Sequence, residues 1–340
     1  IMGAASNVIF GKARAMYGRR VRPEQLEALL ACRSVPDIAG YLKQNTAYAS
    51  VLRDADERQL HRGRLEQLLR RKQTEEVLSL CRYEISIGRA LSRFLEQRIE
   101  TEWLTRYLYL LSEGTAADFY WKDPPLLPVR TRICAAELIR VTRFDEVAEL
   151  LRDTPYGRVL RMKAPEGTVP VAAAVNALHT RLREELHAVI EHTHGTEQEE
   201  LRSLCGGRDD TENAVRLYRI LSRFPEERAF ASLLPPGGTL RPREQQALRA
   251  AQTPEEVVRI FLRSETARRI PERERPNVGD WELWQTFETA ARLIRFSQHP
   301  TVVLMAYDTL MEIERNNLVR LIEGVRYGMT AEQIRPMLVV

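Results

Sequence analysis

The sequence predicts an all-α protein built from three similar helical domains in tandem. Three observations carry that expectation. Apolar residues recur three and four apart over most of the 340 residues, strand-like alternation is scarce, and two separate motifs return at about a third of the chain length. A chain this long exceeds one typical core, and 44% hydrophobic residues suffice for two or three packed units.

Helical periodicity marks residues 23–32, 62–71, 87–111, 181–192 and 281–296. Two starts carry explicit signals: Ser34 ahead of Pro36 and Asp37, and Thr253 ahead of Pro254, Glu255 and Glu256. Each joins an N-cap hydroxyl to an early proline and an acidic first turn. Breaks are expected at "SEGTAADFYWKDPPLLP" (112–128), "KAPEGTVP" (163–170), "HGTEQEE" (194–200), "CGGRDD" (205–210) and "LPPGG" (234–238). The glycine pairs 206/207 and 237/238 are read as turns. A last helix is expected over 313–329. Its apolar stripe runs through Tyr307, Met311, Leu318, Leu321 and Val325, with Glu314 and Asn317 on or beside it.

Internal repetition accounts for those two polar residues. "SVPDIAGYLKQNTAYASVL" (34–52) aligns without gaps on "TRFDEVAELLRDTPYGRVL" (142–160), sharing Asp37/Asp145, Leu42/Leu150, Thr46/Thr154, Tyr48/Tyr156, Val51/Val159 and Leu52/Leu160. "PEEVVRIFLRSETARRI" (254–270) is a weaker third copy, so the offsets are 108 and 110. Glu314 likewise falls on Asp210 and Glu100, Asn317 on Asn213 and Trp103, and Arg320 on Arg216 and Arg106, at offsets of 104 and 110. The expected domains are 1–115, 116–232 and 233–340. Three equivalent acids near a pseudo-threefold axis could hold a metal or pass protons. The preferred reading is structural, because a recurring acid with an i+3 amide suits hydrogen bonding between packed helices, whereas an active site is normally unique.

Composition and motifs exclude much else. The 51 basic residues against 47 acidic ones leave a net charge of +4, too small to indicate a nucleic-acid field. Cys32, Cys81, Cys134 and Cys205 are far apart and form no CxxC pair, which fits a reduced cytosolic setting. The longest uncharged run, residues 167–180, is shorter than the roughly 18 residues of a membrane span and contains Pro170. "IMGAASNVIF" lacks the basic region of a secretion signal, and no function attaches to Ile1 ahead of Met2.

His179, His187, His192 and His194 lie within sixteen residues, but their spacing does not suit zinc, and a solvated Glu/Gln-rich loop is the preferred reading. Gly11-Lys12 is followed by Ala13 and lacks the upstream glycine of a phosphate loop. Neither nucleotide hydrolysis nor a cofactor is expected. The runs "RRVR" (19–22), "HRGR" with "RRK" (61–72) and "RRIPERERP" (268–276) contain or adjoin acids and read as solvated or ion-paired helix faces. A helical-repeat scaffold or nucleic-acid adaptor is the alternative function.

"GKARAMYGRRV" (11–21), "LEALLACRSVPDIAGYLKQNTAY" (26–48), "HRGRLEQLLRR" (61–71), "LLPPGG" (233–238) and "IERNNLVRLIEGVRYGMTAEQIRPML" (313–338) together resemble the C subunit of V/A-type ATPases, the counterpart of the d subunit of the eukaryotic V-ATPase. The resemblance spans essentially the whole chain. It implies three helical domains in a funnel, and a non-catalytic central-stalk part coupling the central shaft to the membrane rotor ring during proton or sodium transport. It implies a cytoplasmic, peripheral place at the membrane, with lipid contact indirect through the ring. It implies no nucleic-acid partner, no metal and a monomer when isolated. The sequence departs from the family's recurring asparagine at Trp103.

Overall fold

A computed structural model describes residues 3–83, 89–116, 127–128, 130–161, 171–226 and 238–340. They are all-α, with no strand among them. The expected breaks at 163–170 and at 234–237, with Gly237 and most of "LLPPGG", lie outside the described residues, as does much of 112–128. Two compact units result. One comprises residues 1–73 with 193–340 and the other residues 74–192.

The first unit opens with α1 (Gly3–Gly18), α2 (Pro23–Leu30), α3 (Val35–Asn45) and α4 (Ala49–Leu52). α5 (Arg62–Cys81) then runs on into the second unit. Ser34 accepts the Asp37 N–H, so α3 begins where the cap signal placed it. The second unit continues with α6 (Ala90–Ser112), α7 (Ala135–Leu138), α8 (Phe144–Leu150), α9 (Pro155–Leu160) and α10 (Val171–Glu191). α10 starts ten residues ahead of the expected position. Its opening turns, "VAAAVNALHT", are too apolar to show a polar face, yet they bury Ala174, Val175 and Leu178.

The first unit resumes with α11 (Gly195–Leu201), a π-turn (Arg202–Gly206) and α12 (Gly207–Arg223). Here the structure corrects the expected breaks at 194–200 and 205–210. The Glu/Gln-rich stretch is helical, and "CGGRDD" lies inside one nearly continuous helical path, with Gly206 and Gly207 in helix and not in a turn. The glycines serve packing: a Cβ on Gly206 would stand 2.8 Å from the Gly238 Cα, so two backbones approach there as only glycine permits. α13 (Pro242–Ala250), α14 (Pro254–Phe261), α15 (Trp281–Phe296), α16 (Pro300–Arg326) and α17 (Ala331–Ile334) complete the chain. Thr253 caps α14 by accepting the Glu256 N–H. α16 is much longer than expected, since its first half is buried nearly all round and has no polar stripe to mark it.

The period of about 109 residues is visible in the helix starts. α5, α10 and α15 begin at 62, 171 and 281, and α3, α8 and α14 at 35, 144 and 254. Among the described residues, three of the apolar cores follow the repeat. Residues 26–69 and 318–338 supply one, including Leu29, Leu42, Leu65, Leu321 and Ile334. A second runs from Trp103 to Leu178 within the second unit. The third runs from Ala214 to Trp281, where the Phe261 and Trp281 rings stack at 5.4 Å.

Candidate functional site

The recurring polar residues sit on three helices, with Glu100 on α6, Asp210 on α12 and Glu314 on α16. Glu100 and Glu314 each meet the Thr-x-Tyr motif of another copy. The Tyr156 hydroxyl donates to the Glu100 carboxylate at 2.5 Å. The Tyr48 hydroxyl donates to Glu314 at 2.9 Å, and the Val21 N–H donates to its other oxygen at 2.9 Å. Glu100 and Asp210 are buried and Glu314 is half-buried.

Asp210 achieves the same end without a tyrosine. It accepts the N–H groups of Gly238, Thr239 and Leu240 at 2.9, 2.6 and 2.9 Å and the Thr239 hydroxyl at 2.6 Å. That hydroxyl also lies 2.8 Å from Thr266, which stands 110 residues after Tyr156. Burial pushes the Asp210 carboxyl above its ordinary range, against the opposing pull of these donors.

The threonine two places before each tyrosine also recurs as a contact. Thr46 donates to the Leu42 carbonyl and Thr154 to that of Leu151, both at 2.6 Å, while their oxygens accept the Tyr48 and Tyr156 N–H groups at 3.2 Å. Ser264 donates to the Phe261 carbonyl at 2.7 Å and accepts the Ala267 N–H at 3.2 Å. Sequence comparison missed this third member because serine replaces threonine and Thr266 replaces the tyrosine. Hydroxyl chemistry at the same offset was the available signal. A cation covers each tyrosine as well, with Lys72 4.7 Å above Tyr48 and Arg181 5.5 Å above Tyr156. Burial and the Glu100 charge together raise the Tyr156 pKa, so its hydroxyl stays protonated as a donor.

The other repeated positions differ from copy to copy. The Asn317 amide pairs with the Val339 backbone in both directions, donating at 2.7 Å and accepting at 3.1 Å. Asn213 is buried on α12, and Trp103 at that place stacks on Tyr107 at 5.5 Å. Arg320 donates to the Met337 carbonyl at 2.6 Å, and Arg216 pairs with Glu212 one turn away. Arg106 is half-buried on α6.

Among the described residues, no three His, Cys, Asp or Glu side chains form a group able to hold a metal. The histidines do not share one loop. His179 and His187 are within α10, His192 follows its end, and His194 immediately precedes α11. Several arginines of the basic runs are ion-paired: Arg62 with Glu66 at 2.6 Å and with Glu323, and Arg273 with Glu274 at 3.3 Å. Lys72 is buried, so that end of the 61–72 run is not a solvated face. No described helix is long and apolar enough to cross a membrane.

The arrangement can join helices and loops across repeats, using carboxylates whose charge meets hydroxyl or backbone N–H donors. A family model described as ATP synthase (C/AC39) subunit matches residues 9–337. No curated protein matches the chain.

Proposed function

Because the chain belongs to the ATP synthase (C/AC39) subunit family, a family of V/A-type ATPase stalk components, we propose that it is the non-catalytic central-stalk socket joining the shaft to the membrane rotor ring. The observation that carries this reading is the extent of the match, residues 9–337 of 340. On the same proposal the protein is cytoplasmic and peripheral, meets the membrane through the ring, and transmits rotation during ATP-driven or ATP-forming ion transport.

A coupling part must resist torque, and close-packed helices are stiff. The period of helix starts supports a three-domain design in which the helix ending each copy is gripped by another copy. Residues 1–115, 116–232 and 233–340 are then the repeats, and the pseudo-threefold funnel belongs to the same proposal. Glu100, Asp210 and Glu314 serve as packing posts, and the amide and arginine positions beside them support individual turns.

Co-purification of the isolated chain with shaft subunits or with a detergent-solubilised rotor ring tests the assignment. Binding to at least one, without ATP hydrolysis by the chain alone, is expected. Failure to retain either partner would sink it.

A further inference from the structure

The first unit carries an open groove of about 340 Å³ between α1, α15, α16 and the segment 339–340. Its floor is apolar, formed by Leu26, Phe287, Leu310, Met311 and Leu318, with Tyr17 on one wall. Its rim is cationic. Arg295 is exposed on the last turn of α15, and Arg20 lies 4.3 Å above the Tyr17 ring. Neither makes an ion pair among the described residues.

The neighbouring charges do not cancel that excess. Among the described side chains that line the groove, Glu288 is the one carboxylate left to offset the arginines, because Glu314 is already held by the Val21 N–H and the Tyr48 hydroxyl. Arg292 follows on the same helix, and after burial it is the neighbour that disfavours the charge of Arg269. Apolar floors flanked by unpaired arginines match a helix whose apolar residues recur at i, i+3, i+4 and i+7 with acids beside them. Phosphate alone would leave the floor wet, and a purely apolar ligand would leave the arginines unanswered.

We propose that this groove receives an amphipathic helix of a partner protein, its apolar stripe on Phe287 and Met311 and its acidic flank against Arg20 and Arg295. The site is read from the groove alone. Its probe is a peptide, so its failure leaves the stalk assignment standing, and failed co-purification leaves this site standing.

The test titrates the full chain into a labelled helical peptide with leucines on one face and glutamates flanking them, beside a twin carrying lysines instead. The glutamate peptide is expected to bind with a Kd of about 10 µM and to weaken with salt. The lysine twin is expected to bind at least about tenfold more weakly. Arg295→Glu, a surface change that spares folding, should cost the glutamate peptide about tenfold. Ala291→Trp, which fills the groove, should abolish binding with the circular dichroism unchanged. Equal binding of both peptides, no saturation below about 1 mM, or indifference to Arg295→Glu would overturn the proposal. So would sedimentation showing self-association through the groove, since a second copy would then be its occupant.

Discussion

At the residue scale, the shared device is a helix carboxylate held by hydroxyl or N–H donors from outside its own helix. Tyr156→Phe leaves Glu100 buried without its 2.5 Å donor. Chemical denaturation should show a loss of about 1–3 kcal/mol, because a buried acceptor that loses its partner bears its full desolvation cost. A double-mutant cycle with Glu100→Gln should show coupling, and strict additivity would mean that the two side chains do not cooperate. The cysteines give a second prediction. Burial pushes the Cys205 thiol up to about 12, with Asp209 and Asp308 adding to the rise, and burial followed by Asp37 raises Cys32. A raised value keeps the thiol protonated at neutral pH, where it is a poor nucleophile. Iodoacetamide with peptide mass mapping should therefore label exposed Cys134 first and half-buried Cys32 later, with Cys205 reacting only on unfolding.

At the element scale, helix ends decide where the chain turns. α6 and α16 close alike. Gly114 and Gly328 take φ of +73° and +70°, the Thr115 N–H reaches the Leu110 carbonyl, and the Met329 N–H reaches that of Gly324, each at 2.9 Å. The equivalent end of α12 falls at Phe224, whose N–H donates to the Ile220 carbonyl at 2.8 Å, and among the described residues no glycine directly follows it. Gly328→Ala should lower the melting temperature by the equivalent of about 1 kcal/mol, since an L side chain is strained at that φ. Ser34→Ala and Thr253→Ala should each cost about 1 kcal/mol by the same measurement. α3 and α14 were legible because a cap, a proline and early acids agree. The path from α11 into α12 was not, because Gly206 and Gly207 are there for tertiary packing, Gly206 against Gly238, a demand that looks like a turn from sequence alone. Glu314 stands out in the sequence as a repeating misfit on an apolar stripe. Its partner Tyr48 does not, because a contact across 266 residues leaves no local mark.

At the scale of the whole molecule, the chain's two ends share one apolar core: Leu318, Leu321, Ile322 and Ile334 pack with Leu29, Ile38, Leu42 and Leu65. Leu321→Ala, at a fully buried position on α16, should cost about 2–5 kcal/mol. Hydrogen exchange should rise in residues 26–69 as well as locally, and a change confined to α16 would contradict the shared core. Sharing also sets an order of events during synthesis. Residues 26–69 are made before the side chains that complete their core, which follow roughly 250 residues later, about ten seconds to a minute at ordinary elongation rates. Through that interval the core formed by residues 26–69 lacks the side chains of 318–338 that close it, so its full stability arrives only with the last helices.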